Sequence, residues 1–147
     1  MNLNKLCDDL KADEGCLNEI YICPAGHPTL GIGHMITKKD PEYGEPVGTS
    51  ISDERVQEAF EADITITLED CRKLYEDFDE LPEQVQLIIA NMLFNMGLPR
   101  LSKFRGMKAA VDDRDWSRAA DEMVDSLWYN QVKSRAERLV ERMREVV

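Results

Sequence analysis

Residues 13–37 read Asp13-Glu14-Gly15-Cys16-Leu17-Asn18-Glu19-Ile20-Tyr21-Ile22-Cys23-Pro24-Ala25-Gly26-His27-Pro28-Thr29-Leu30-Gly31-Ile32-Gly33-His34-Met35-Ile36-Thr37. Apolar residues here are interleaved with Pro24, Gly26, Pro28, Gly31 and Gly33, a composition that suits a small antiparallel sheet with tight turns. The N-terminal flank has a different pattern. Leu3, Leu6, Cys7 and Leu10 fall at helical spacing, so residues 3–13 read as an amphipathic helix with Gly15 as its stop. On the C-terminal flank, Lys38 to Ser52 holds prolines, glycines and acids and reads as a surface loop, with Ser52 a good N-cap for a helix.

From Asp53 onward the pattern is helical. Val56, Ala59, Phe60, Asp63, Ile64, Thr67 and Cys71 form one stripe of a long helix, and Asp63 is an acid on that otherwise apolar stripe. Pro82 suits the first turn of the next helix, where Val85, Ile88, Ile89, Met92, Leu93 and Met96 make a broadly apolar, central segment ending at Gly97. Short helices are expected around 101–112 and 115–130, and a last one carries Ala136, Leu139, Val140, Met143 and Val147. The expected class is α+β, in one 147-residue domain: a small N-terminal antiparallel β lobe over about 14–52, a connecting helix over 53–72, and a mainly helical lobe of 73–147 together with 1–13. A cleft between two such lobes is a common place for a ligand.

Charge narrows the partners. Twenty-nine acids against eighteen bases give a net charge of −11. That argues against nucleic acid and against anionic membrane surfaces as partners. The balance is uneven: residues 1–99 carry −13 and residues 100–147 carry +2. No run of about 20 apolar residues is present, and the start, MNLNKLCDDLKADEG, has no apolar core of a secretory signal. A cytosolic product with its four cysteines reduced is therefore expected. The cysteine spacings match no zinc pattern, and nothing in the sequence calls for a metal or a cofactor.

Several residues could carry chemistry. Glu14 closes the first helix, where the negative end of the helix dipole favours the protonated acid that general acid catalysis requires. The same residue also reads as an ordinary solvated helix end. Gly31 and Gly33 flank Ile32 and allow close approach of another backbone, but their spacing fits no dinucleotide or phosphate-binding loop. His34 on an apolar strand reads either as a satisfied core histidine or as part of a site.

The residues Asp13-Glu14-Gly15, then Tyr21, then Thr29-Leu30-Gly31-Ile32-Gly33-His34 resemble the phage-type lysozymes, glycoside hydrolase family 24. The family pattern is Glu, eight residues, Asp or Cys, five residues, Thr, and here it is filled by Glu14, Cys23 and Thr29. Asn91 to Gly97, Phe104, Asp115 to Ala120, and Trp128 to Gln131 followed by Arg135-Ala136 match in order along the helical part. The resemblance implies hydrolysis of the β-1,4 bond between N-acetylmuramic acid and N-acetylglucosamine in bacterial peptidoglycan. It implies Glu14 as general acid, Thr29 as a residue holding or screening the attacking water, and Arg135, with Asp13, as support for the Glu14 carboxylate. Gly31 and Phe104 are implied in substrate binding. It also implies a structural ion pair between His34 and Asp63, which accounts for the acid on the apolar stripe.

Cys23 leaves several roles open: orienting water with Thr29, acting as base if its thiol ionises, attacking the sugar to form a covalent intermediate, or only packing. The other cysteines are expected to be buried small apolar residues, although a regulatory disulfide involving Cys23 after export is also open. The loop 38–52 departs from the family, whose T-even members have an extra short helix there. The expectation is a monomeric endolysin released from the cytoplasm of the infected host to the cell wall. A lytic transglycosylase and a catalytically inactive peptidoglycan-binding module are the rival readings.

Overall fold

The computed structural model describes residues 1–147. Eight α-helices and one three-stranded sheet run in the order α1 (Leu3–Glu14), β1 (Leu17–Ile22), β2 (Pro28–Gly31), β3 (His34–Met35), α2 (Asp53–Leu74), a 3-10 turn (Phe78–Glu80), α3 (Glu83–Met96), α4 (Leu98–Leu101), α5 (Arg105–Asp112), α6 (Trp116–Val124), α7 (Leu127–Gln131) and α8 (Lys133–Arg144). This is the α+β class expected. The chain divides into two compact units, 4–66 and 67–147 with residues 1–3. Most of α1 thus falls in the unit of the sheet, whereas the sequence reading grouped residues 1–13 with the later helices. No helix is long and apolar enough to cross a membrane.

In the first unit the sheet is antiparallel in the order β1-β2-β3. Tyr21 stands opposite Thr29 and Ile22 opposite Pro28, with a register irregularity between Leu17 and Tyr21. Thr29 in turn faces Met35, and Leu30 faces His34. Leu6 and Leu10 of α1, Ile20 and Leu30 of the sheet, and Phe60 of α2 are almost completely buried and make the core of this unit. The hydroxyl of Ser52 accepts from the amide of Arg55 at 3.1 Å, as an N-cap does. The segment read as a plain loop ends in sheet-like pairing. Ile20 N–H donates to Thr49, Gly48 N–H to Ile20, and Ile51 N–H to Asn18, so residues 48–51 cover the outer edge of β1. An open strand edge is a template for unwanted pairing, and hydrophobic periodicity gives no sign of such a cover.

In the second unit α3 is apolar around most of its surface and is buried from Val85 to Leu93. It packs on α8, α8 packs on α6 and α7, and α6 packs on α5. Polar groups inside are paired: Gln86 Nε2 donates to the Leu81 carbonyl at 2.8 Å, and Trp128 Nε1 donates to Asn95 Oδ1 at 2.8 Å. Gly97, at φ +81°, stops α3 with its amide on the Leu93 carbonyl at 2.7 Å.

One glycine is fixed by packing as well as by its backbone. Gly31 has φ +59°, and a β-carbon there would stand 2.9 Å from Val56 Cγ1 of α2. Gly31→Ala is therefore expected to destabilise the protein by about 1–3 kcal/mol, read from the denaturant midpoint. Adding Val56→Ala should relieve the clash and not the backbone strain, so the pair recovers little, because it also opens a cavity.

Candidate active site

Glu14 is the last residue of α1 and is half-buried, with Asp13 half-buried beside it. Its carboxylate rests on the backbone of the turn between β2 and β3. A β-carbon on Gly33 would stand 3.0 Å from Glu14 Oε1 and 3.2 Å from its Cδ. Gly33 has φ +65°, which disfavours a side chain, and a β-carbon there would push the Glu14 carboxylate aside.

Cys23 and Thr29 lie on the two arms of the β1–β2 hairpin. Its turn is closed by Cys23 N–H on His27 O at 3.0 Å and by Gly26 N–H on Cys23 O at 2.8 Å. Thr29 is buried, and its hydroxyl donates to the His27 carbonyl at 2.8 Å. The thiol of Cys23 is subject to opposed effects. Burial pushes its pKa up, but backbone amides of His27, Ala25 and Gly26 and the hydroxyl of Thr29 stabilise the thiolate and prevail, so it lies below the ordinary thiol value. The structure thus gives Cys23 more anionic character than an ordinary cysteine has. Of the remaining cysteines, Cys71 is buried, with its pKa pushed up to about 12 by loss of solvent, and Cys7 is half-buried. Cys16 is exposed, contrary to expectation, because it stands between the end of α1 and the first residue of β1. No disulfide joins any of them.

His34 is held by two carboxylates. Nδ1 lies 2.8 Å from Asp63 Oδ2 of α2, and Nε2 lies 3.0 Å from Asp40 Oδ2. With both ring nitrogens on carboxylates the imidazole is a double donor, the charged form. Asp40 also accepts the Thr37 amide at 2.8 Å and meets Arg55 at 3.1 Å. Arg55 reaches Glu42 at 2.8 Å and Glu58 at 2.7 Å. The sequence pointed to His34 and Asp63. It did not point to Asp40, Arg55 or Glu42. The available signal was Arg55 itself, the one base between Lys39 and Arg72 in a strongly acidic stretch.

Gly31, expected at the substrate, is itself buried, and its contact with Val56 explains why it is glycine. Two expected residues lie in the second unit. Arg135 is only 8% exposed, with Nε on Asn91 Oδ1 at 2.8 Å. Phe104 stands edge-on to Trp128, ring centroids 6.3 Å apart, and lines a pocket of ≈ 190 Å³ with Lys103, Arg105, Glu122 and Asp125.

The family model described as phage lysozyme matches residues 11–145. The chain belongs to the phage lysozyme family. Its curated relatives are of several kinds. It is 30% identical to a probable T4-type lysozyme 2 of Dictyostelium discoideum, over 94% of this chain and 92% of the relative. It is also 30% identical to the pre-baseplate central spike protein Gp5 of Enterobacteria phage T4, over 91% of this chain and 26% of that one. The SAR-endolysin of Escherichia phage P1 is 29% identical over 74% of this chain and 56% of its own length. In this phage lysozyme family chain, Glu14, Cys23 and Thr29 all lie in the first unit, on one helix end and one hairpin.

The His34 cluster has a defined pH signature. The hydrogen bond to Asp63 leads in raising the His34 pKa, against burial, with Asp40 adding to it. Burial pushes Asp40 up, but the Thr37 amide, His34 and Arg55 outweigh it and hold it below the usual carboxylate value. The His34 contribution is complete below the ordinary imidazole pKa and is lost as pH rises through the raised one. The Asp40 contribution is complete above the ordinary carboxylate pKa and is lost as pH falls through the lowered one. His34→Asn should therefore cost about 1–3 kcal/mol at about pH 4 to 6.5, and less at alkaline pH. Thermal midpoints of both proteins across pH check this; a gap that does not vary with pH would refute it.

Proposed function

We propose that this chain is a peptidoglycan muramidase, an endolysin that hydrolyses the β-1,4 bond between N-acetylmuramic acid and N-acetylglucosamine. The supporting observation is the hairpin itself: Cys23, whose thiol pKa is lowered, and the buried Thr29 stand on its two arms, in the unit that also holds Glu14. Glycoside cleavage needs an acid for the leaving oxygen and a way to bring water to the anomeric carbon. Glu14 gives its proton to the glycosidic oxygen. With its proton on the His27 carbonyl the Thr29 hydroxyl accepts from water and orients it, and after a rotation about its C–O bond the same proton faces the Cys23 thiolate. Cys23 takes the proton that water loses as its oxygen bonds to the anomeric carbon. The products are a free reducing end and a free hydroxyl.

The resemblance assigns a supporting role to Arg135 and substrate binding to Phe104. The partner is the bacterial wall, reached after release from the host cytoplasm, and the protein acts as a monomer without cofactor. The family membership supports a lysozyme, while the bond cleaved is the part to be tested.

Muropeptides released from purified walls should carry reducing ends by mass spectrometry. An anhydro product would instead identify a transglycosylase. Glu14→Gln should lower the rate by about 10²–10⁴-fold. Cys23→Asp should retain activity, and Cys23→Ala should lose most of it, by about 10²-fold. Wild-type clearing by Glu14→Gln would remove Glu14 from the mechanism.

A further inference from the structure

The ring of His34 is one end of a longer chain of contacts, every link of which lies in the first unit. Nδ1 meets Asp63 of α2 at 2.8 Å and Nε2 meets Asp40 Oδ2 at 3.0 Å. The other oxygen of Asp40 accepts from Arg55 Nη2 at 3.1 Å. Arg55 in turn grips Glu42 with a fork, Nε on Oε2 at 2.8 Å and Nη2 on Oε1 at 2.9 Å. A bidentate pair fixes direction as well as distance. Residues 31–42 are thus braced on α2 at three places: Gly31 against Val56, His34 on Asp63, and Asp40 and Glu42 on Arg55. Arg55 and Asp63 stand eight residues apart on the helix, roughly 12 Å along its axis. Inside the braced segment is Gly33, where a β-carbon would come within 3.0 Å of Glu14 Oε1.

We propose that Asp40 and Arg55 are positioning residues for the reaction: with His34 they hold the 31–34 turn against α2, and so fix the backbone over which the Glu14 carboxylate lies. This rests on the reading of Glu14 as general acid. A reacting group displaced by about 1 Å can cost 10²-fold in rate, so a brace remote from the substrate is felt in the chemical step. The brace also depends on one proton. The charged ring has an N–H for each carboxylate, and loss of one proton leaves a bare nitrogen facing an anion. The groups that face the ring are Asp63 from α2 and Asp40 from the segment after β3. Arg55 and Glu58 of α2 and Glu42 stand behind Asp40, Glu14 of α1 lies over the neighbouring Gly33, and Lys38 and Lys39 are exposed. The bond to Asp63 first, and Asp40 with it, raise the His34 pKa against burial. The brace is therefore complete below the ordinary imidazole pKa and is lost as pH rises through the raised one.

Asp40→Asn keeps the size of the side chain and removes the charge that holds Arg55. On uncross-linked peptidoglycan chains at about pH 6, below the ordinary imidazole pKa and well below the thermal midpoint, kcat should fall about five- to ten-fold with KM within about two-fold. An amide can donate to a bare ring nitrogen, and a carboxylate cannot. The ratio of wild-type to variant kcat should therefore shrink toward one as pH rises through the His34 titration, whatever else limits each profile. NMR titration of the ring locates that pH, and with two histidines in the chain His27→Gln assigns the signal. An unchanged kcat beside a lowered midpoint would overturn the proposal, because the network would then serve stability alone. So would a kcat ratio that stays level through the titration. Where Asp40→Asn does not fold, Arg55→Gln leaves the ring its two carboxylates and cuts only the tie from Asp40 to α2. Its kcat should fall about three-fold at unchanged KM, and a wild-type kcat again overturns the proposal. Glu14→Gln assayed beside them separates the two readings. An active Glu14→Gln defeats the general-acid assignment, whereas an inactive one next to a wild-type-like Asp40→Asn defeats only the role of the brace.

Discussion

The carboxylate of Glu14 lies close over Gly33, so that a β-carbon there would come within 3.0 Å of Oε1 and displace the acid. For that contact to exist, the helix must stop at Glu14 and the hairpin must bend back on it. Gly15, at φ +75° with its amide on Lys11 O at 2.9 Å, ends the helix. Gly31 and Gly33, both left-handed, turn β2 into β3 within two residues. Once the turn is fixed, strand geometry sets the rest of the row. Thr29 faces Tyr21, Leu30 faces His34, and Cys23 sits at the mouth of the hairpin with its thiol on the turn amides.

The turn would be a weak support if it hung free, and His34 is what secures it. The next residue after Gly33 is bonded on both sides, to Asp63 on α2 and to Asp40 in the loop after β3. Arg55 then returns from Asp40 and Glu42 to α2. An exposed ion pair contributes little, roughly 0–1 kcal/mol, because solvent and salt screen it and long side chains must be ordered. Here the side chains of His34, Asp40, Arg55 and Glu42 are all less than one fifth exposed and share partners, which is the case in which a network acts together. Residues 53–83 carry −9 of the charge, and Arg55 offsets part of it where Asp40, Glu42 and Glu58 converge.

Local sequence announced the helices, the hairpin and the long amphipathic stripe because each depends on periodicity or on turn residues close in the chain. It also made Asp63 conspicuous, since an acid on an apolar stripe needs a partner. Partners supplied by a loop were not visible in the same way. Asp40 and Glu42 stand among prolines and glycines with nothing periodic about them, and only the folded path brings them to Arg55. The pairing of residues 48–51 with β1 was hidden for a related reason: it is made by backbone groups, which every residue possesses. The grouping of α1 with the sheet depends on Leu6 and Leu10 meeting a core that the amphipathic pattern requires but does not identify.

The thiol at position 23 is best understood through the charge it avoids. Two carboxylates near one another each make ionisation of the other harder, and a site that needs one acid protonated and one base ready must keep them distinct. Asp in place of Cys23 would achieve this by environment alone. A thiol does it by chemistry, being neutral unless its surroundings stabilise the anion. The amides of Ala25, Gly26 and His27 do so without adding a counter-charge, because they are dipoles of a turn whose geometry the hairpin already requires. Thr29 completes the arrangement. Its hydroxyl can accept from the thiol while donating to His27, and can donate to the thiolate after only a rotation about its C–O bond. If Cys23 is the base proposed above, proton movement there demands almost no rearrangement of heavy atoms, and its strength is set by the backbone of a five-residue turn rather than by neighbouring charges.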